Sequence, residues 1–427
     1  MNSWGRSILE ECVMRYPLLR SKGVRSGLFF FNFFLVITTL YQLKPASRSL
    51  FIEHLGTQRL PYIWIAVALS MGLFISIYHR LVSRFNRQHI VMGSVLVFGI
   101  VLLLFRFWFF YPGKLGAVCF YVFVDILGVV LVEQFWSLVN SVYSTRDGKS
   151  WYGLVGTGGL LGGVTGGAVA AFLIKYTPMK TQDLVISAAI TLFIILTLTA
   201  IMGRLGLFCE VDETAKAPTS VENGKPSTGF RRYLILIAAI LLVSQLLSPV
   251  IEYQFLGQVE SAYADMEART AFLSMFFSLL SAVSIGVNLI ITPLIHRRLG
   301  PIAGLLAQPL VIVLFCALFL FQPTLFFAAA TRIGDRGLSY SINRASRELL
   351  YIPIGSLLIY RAKAWIDMFG YRLFKVLGSA MILTVTGLVH ESSRVAWLGF
   401  LTIIVCGIWV MLVGLIGREY RSAGETA

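Results

Sequence analysis

Charge is scarce in this chain, and acid is scarcer than base. Asp and Glu occur 21 times in 427 residues against 36 Lys and Arg, and charged residues make up 13% in all. A soluble domain carries roughly 25%, so this composition does not cover the surface of an ordinary water-soluble fold. Histidine is also rare, and His54, His79, His89, His296 and His390 show neither H-x-x-x-H nor H-E-x-x-H spacing, so no metal site is expected. Cys12, Cys119, Cys209, Cys316 and Cys406 are widely spaced without a C-x-x-C pair, which argues against a disulfide framework or a zinc site. There is no G-x-S-x-G elbow and no nucleophile–base constellation, so the chain does not read as an enzyme. The first 27 residues lack the short apolar core and small-residue cleavage site of a signal peptide. They are expected to stay on the chain as a basic cytoplasmic lead-in.

What the chain has in quantity is oil. Hydrophobic residues reach 57% and the mean hydropathy is +0.78, the composition of an integral membrane protein whose main partner is the lipid bilayer. A membrane span needs about 20 mostly apolar residues, and such runs fall near 27–43, 61–78, 90–110, 115–139, 152–174 and 183–205. A polar stretch rich in Pro, Gly and Ser follows at 209–232. Six more runs lie near 233–256, 270–294, 301–320, 323–342, 373–391 and 395–417. The sequence thus divides into 1–208, a linker at 209–232, and 233–427. The formal net charge of +15 is not gathered into a tail or one amphipathic face, which argues against nucleic-acid binding. Instead Arg15, Arg20, Arg84, Arg87, Arg231 and Arg297 fall in alternate loops, the positive-inside pattern, with both termini cytoplasmic and insertion expected in a bacterial inner membrane.

The two halves echo each other. "HRLVSRFNRQHI" after the second run is matched by "HRRLGP" after the eighth, and Lys149 with Trp151 is matched by Lys363 with Trp365 as a second K-x-W pair before a Gly-bearing run. The expected fold is therefore all-α, with 12 transmembrane helices in two six-helix pseudo-repeat halves. That layout resembles the major facilitator superfamily.

Glycine-rich text after Asp147 fails as a nucleotide loop: Tyr143 stands where a Walker A glycine belongs, and Leu161 stands in the last position of a G-x-G-x-x-G fingerprint. Gly158, Gly162 and Gly166, and beside them Gly159, Gly163 and Gly167, instead form two stripes at helical spacing, where backbones can approach closely.

Ionisable residues within spans are costly in lipid and mark pairs or aqueous cavities. Asp125 lies mid-run, with Glu133 about two turns on. Glu252 follows Pro249, where a broken backbone would line a cavity. Lys44 and Arg48 end the first run, and Lys375 opens the eleventh. Two readings stand for these bases, snorkelling to the interface or lining a charged cavity. For Asp125 the plain alternative is a structural pair with a neighbouring base.

These residues carry a resemblance. "FFFNFFLVITTLYQLKPASRSL", "FYVFVDILGVVLVEQFWSLVN", "PVIEYQF" and "YRAKAWIDMFGYRLFKVLGSA" are similar to stretches of the ATP/ADP translocases of plastids and intracellular bacteria. The resemblance puts Lys44, Asp125, Glu252 and Lys375 at functional positions, with Asp125 where the family has Glu. It implies an alternating-access antiporter, working as a monomer without a cofactor, for ATP and ADP or another phosphorylated or anionic metabolite. Lys44 and Lys375 would clamp phosphates, with Asp125 and Glu252 as their partners in the empty carrier. Arg48 and Arg347 would attract anions at the cavity mouths, and Lys363 would sit in the basic stretch leading to Lys375. A proton-coupled carrier of a non-nucleotide substrate, working through Asp125 or Glu252, and a transport-inactive membrane scaffold are the alternatives.

Overall fold

The computed structural model describes residues 22–82, 87–109, 113–143, 145–208, 228–350 and 370–425. Most of the linker at 209–232 and the whole of 351–369, including Lys363, lie outside them. The described residues are almost entirely helical and contain no strand. In a bilayer this is forced, because only a helix satisfies every backbone group within its own segment. In chain order the helices are α1 (Lys22–Leu55), α2 (Leu60–Val82), α3 (Arg87–Trp108), α4 (Lys114–Val142), α5 (Thr145–Tyr176), α6 (Leu184–Arg204) and α7 (Thr228–Ala262). They continue with α8 (Met266–Gly286), α9 (Thr292–Phe321), α10 (Leu325–Leu338), α11 (Arg344–Leu350), α12 (Tyr371–Leu388) and α13 (Glu391–Glu425). Among the described residues, nine helical stretches are long and apolar enough to cross a membrane. One of these, Met266–Phe321, joins two expected spans in a single stretch, and it is interrupted at Gly300, whose φ of 79° leaves helical geometry just before Pro301.

The chain packs as two compact units. The first holds the described residues within Met1–His54, Ser70–Val221 and Asp265–Ser281. Its core is aromatic: Phe33 stacks on Phe135 at 4.5 Å between ring centres, and Phe109 meets Phe120 edge-on at 5.2 Å. Here α5 is held by its glycines. A Cβ on Gly158 or Gly162 would collide with the carbonyl oxygens of Phe30 and Phe34, and one on Gly166 would lie 2.6 Å from that of Thr38, so this stripe lies against the backbone of α1. From the second stripe, Gly163 and Gly167 face α8, where a Cβ would stand 2.5 Å from Ser281 Oγ and from the Ser274 carbonyl oxygen. The packing role expected of the stripes is borne out, and the second stripe is shared between two helices, since its Gly159 lies against the Phe33 ring of α1.

The second unit holds the described residues within Leu55–Leu69, Glu222–Ala264 and Ala282–Ala427. In it α7 packs against α10, α12 and α13, and α9 against α10, α11 and α13. Gly378 lets α12 close onto the Leu246 carbonyl and Pro249 of α7. Two π-helical turns, Val287–Ile291 and Ser339–Asn343, interrupt the regular ladders of this unit.

Two expectations about breaks do not hold. Helix α1 does not end at Lys44 but runs through Pro45 to Leu55, and α7 runs unbroken through Pro249. A proline removes one backbone donor and crowds the preceding turn, yet neighbours in a membrane bundle can absorb the loss. Beside Pro45, the Ser47 hydroxyl donates to the Lys44 carbonyl at 3.0 Å.

Candidate functional site

Because α1 continues past Pro45, Arg48 is a residue of the helix interior and not of a loop. It is 7% exposed, so its charge does not snorkel to water. Its two terminal nitrogens lie 3.4 Å from the same oxygen of Asp125 on α4, and its Nη1 donates to Ser47 Oγ at 3.2 Å. The guanidinium carbon also stands 5.0 Å from the centre of the Tyr121 ring, one turn before Asp125, a cation–π contact that gains strength when desolvated. The acid expected mid-helix thus has a basic partner, an arginine from the motif that also holds Lys44. Lys44 itself is half-buried with its ammonium 5.4 Å from the Tyr41 ring, which meets Phe277 edge-on.

In the second unit Glu252 pairs with Arg332 of α10, and the geometry is tighter. Arg332 Nη2 lies 2.6 Å from Glu252, and Nη1 lies 2.9 Å from Asp335 and 3.2 Å from Ser248 Oγ. Asp335 accepts a further bond from Ser248 at 2.9 Å, and Gln308 of α9 donates to its backbone oxygen at 2.9 Å. Asn343, in the second π turn, donates to Gln308. Every member of this network is buried, Gln308 completely. Buried charges persist in apolar surroundings only when paired and hydrogen-bonded, and here four helical segments supply the partners.

The remaining sequence-predicted bases are placed separately. Lys375 is half-buried on α12, one turn before Gly378, and no ion pair or side-chain hydrogen bond reaches its ammonium among the described residues. Arg347 of α11 donates to the Tyr371 hydroxyl at 3.2 Å. Asp125 and Glu252, the acids expected to partner Lys44 and Lys375, each have an arginine as an ion-pair partner.

Two more polar contacts tie the turn after α1 to segments beyond the linker. Arg269, 3% exposed at the start of α8, lies 3.3 Å from both Glu53 and the Ser49 carbonyl. Thr57 bonds through its amide and hydroxyl to Glu260 near the end of α7, beside Gly56 at φ 74°. No cluster of three or more His, Cys, Asp or Glu among the described residues is placed to hold a metal.

Comparison with known proteins bears on what this polar interior serves. Residues 113–333 and 321–420 match the family described as the TLC ATP/ADP transporter. The chain belongs to that family. It is 20% identical to "ADP,ATP carrier protein 3" of Rickettsia bellii over 88% of this chain and 91% of the relative. It is 24% identical to "ADP,ATP carrier protein 2" of Chlamydia pneumoniae over 70% of this chain and 65% of the relative. Among solved structures, an inward-facing bacterial homologue of the iron transporter ferroportin superposes with a TM-score of 0.62 at 14% identity, covering 93% of this chain and 99% of that one. The protein is thus an integral membrane transporter with a fold of the major-facilitator type.

For a member of the ATP/ADP transporter family, the sequence reading found the acids and missed half of their partners. Arg332, Asp335, Gln308 and Asn343 were all overlooked. The signal was present: "TRIGDRG", Thr331–Gly337, puts three charges inside a run otherwise apolar enough to span.

Proposed function

We propose that this transporter exchanges adenine nucleotides, ATP against ADP, by alternating access. The observation that carries the reading is the match of most of the chain to a family described by ATP/ADP transport. The polar interior supports it. Polyphosphates are recognised by cations in sites shielded from water, and Arg48, Lys44 and Lys375 are such cations on spanning helices. In this reading the full chain forms twelve spans in two halves, 1–208 and 233–427, with both termini cytoplasmic in a bacterial inner membrane, and it acts as a monomer.

The Arg48–Asp125 pair is the element a substrate would reorganise. At 3.4 Å it is longer than the 2.7–2.9 Å of a strong charge-assisted bond, so a phosphate can compete with Asp125 for the guanidinium. In an obligate exchanger the re-formed pair would hold the empty carrier, and a bound anion would lower the cost of reorientation. The direct test is uptake of labelled ATP into liposomes bearing the purified protein, with and without internal ADP. Uptake that requires internal nucleotide is the expected result. Uptake driven by a pH gradient without internal nucleotide would favour the proton-coupled alternative, working through Asp125 or Glu252. No uptake of any anion would sink the carrier reading in favour of a scaffold.

A further inference from the structure

Pro45 stands inside α1, and a proline has no N–H to give to the carbonyl one turn back, so the helix ladder is weakest at that point. The segment beyond it is packed tightly: Ala46, Ser47, Ser49, Leu50 and Phe51 are each at most 1% exposed. This segment carries Arg48, so whatever sets its position and rotation also sets where that guanidinium points.

One side chain of α8 sets both. Arg269, buried at the start of α8, donates through Nη1 to the Ser49 carbonyl at 3.3 Å, and its Nη1 and Nη2 each lie 3.3 Å from Glu53 Oε2. Ser49 and Glu53 are one turn apart on one face of α1. A planar guanidinium that spans both fixes the helix along its axis and about it, which a single point contact cannot do. Ser49 adjoins Arg48, about 100° round the helix. The hold on one face therefore aims the side chain on the next, which reaches Asp125 at 3.4 Å and the Tyr121 ring at 5.0 Å.

Arg269 is itself anchored. The Asp265 carboxylate accepts the Ala268 amide at 2.7 Å and so caps the start of α8, and the Thr270 and Thr181 hydroxyls meet at 2.8 Å. Thr181 begins the turn Thr181–Asp183, in which Asp183 pairs with Arg106 of α3 at 2.8 Å. A chain of polar contacts thus runs from α3 through α8 to α1. Its yielding member is Glu53, whose side chain is 41% exposed against 4% for that of Arg269. Packing alone would be served at lower cost by an apolar side chain, because a buried charge carries a desolvation penalty.

We infer that Arg269 is a positioning residue for anion binding: it touches no substrate, and it holds the end of α1 so that Arg48 is presented to the incoming phosphate. The inference rests on the anion-exchange reading above and extends it to a residue outside the Arg48–Asp125 pair.

The test uses the full chain purified in detergent, with ADP and pyrophosphate as separate probes and thermal stabilisation as the readout, since a ligand that binds the folded state raises apparent stability by mass action. Arg269→Gln is expected to weaken both probes about tenfold, the scale of one charge-assisted hydrogen bond. Arg269→Lys keeps the charge without the fork and should lose most of the same affinity. The deciding measurement is a double-mutant cycle: in an Arg48→Gln background, Arg269→Gln should cost no further affinity, because the group it positions is gone. Where Arg269→Gln does not fold, Glu53→Gln takes its place in the cycle, with an expected loss of about threefold beside Arg48, as for a part-exposed ion pair, and none beside Gln. Unchanged binding in the single variant, full binding with lysine, or the same loss in both backgrounds overturns the inference and leaves nucleotide exchange intact. If the wild type responds to pyrophosphate and not to ADP, the nucleotide reading fails and the cycle is decided with pyrophosphate. If it responds to neither, both fail.

Discussion

The guanidinium of Arg48 reaches one oxygen of Asp125 at 3.4 Å, whereas that of Arg332 reaches Glu252 at 2.6 Å and Asp335 at 2.9 Å. Both arginines are buried on helices, and both answer an acid that stands out in the sequence. The difference lies in the length of the bonds. Arg332 holds two carboxylates and a serine, and Asp335 is held in turn by Ser248 and Gln308. Arg48 reaches Asp125 at long range, donates to Ser47 Oγ at 3.2 Å and lies against an aromatic face. A charge fixed by several short bonds organises its neighbours, while a charge held by a long pair and a ring can change partner at modest cost. The first unit thus offers a long pair suited to exchange, and the second a fixed post.

This contrast can be broken most forcefully at the post. Arg332→Leu takes from two buried carboxylates their shortest ion pairs and is expected to cost about 3–5 kcal/mol of stability, read as a large drop in the melting temperature of the purified protein. Adding Glu252→Gln and Asp335→Asn to that variant should recover much of the loss, since neutral partners need no counter-charge. If the single variant melts like the wild type, the network is not the post described here.

A second test reaches the Arg48 pair through its scaffold. Gly162→Val drives a side chain into the Phe34 carbonyl and pushes α1, which carries Arg48, away from α5. Overpacking of this kind costs about 1–3 kcal/mol, and exchange should fall with stability. Arg48→Gln sharpens the comparison directly. It should cost only about 1.5 kcal/mol yet reduce nucleotide exchange at least tenfold, on the order of one lost charge-assisted contact. Equal stability losses in Arg48→Gln and Arg332→Gln would erase the distinction. The smallest structural effect is expected at Lys375→Gln, within about 0.5 kcal/mol because no described partner is lost. Exchange should fall there all the same, as measured by ATP uptake into ADP-loaded vesicles.

The helical membrane architecture was legible because lipid imposes one rule on composition and length, and the glycine stripes because close backbone approach needs a regular spacing. Asp125 and Glu252 were legible because an acid in an apolar run has few uses. Their partners were harder to read. Arg48 was assigned to a loop because Pro45 looked like an end, and nothing local in the sequence tells a kink from a stop. Arg332 was hidden by a pairing of helices that sequence order does not reveal, since α7 and α10 meet only in the folded unit. Lys363 and the linker lie outside the described residues, so the K-x-W echo stands as a sequence observation.

Helix α5 presents bare backbone on two sides, to α1 through Gly158, Gly162 and Gly166 and to α8 through Gly163 and Gly167. The close approach lets hydroxyls of both neighbours reach the α5 backbone, Thr38 Oγ1 donating to the Gly162 carbonyl at 3.3 Å and Ser278 Oγ to the Val164 carbonyl at 2.7 Å. Either neighbour must break such a bond to slide, so α5 serves as a key that holds α1 and α8 in register.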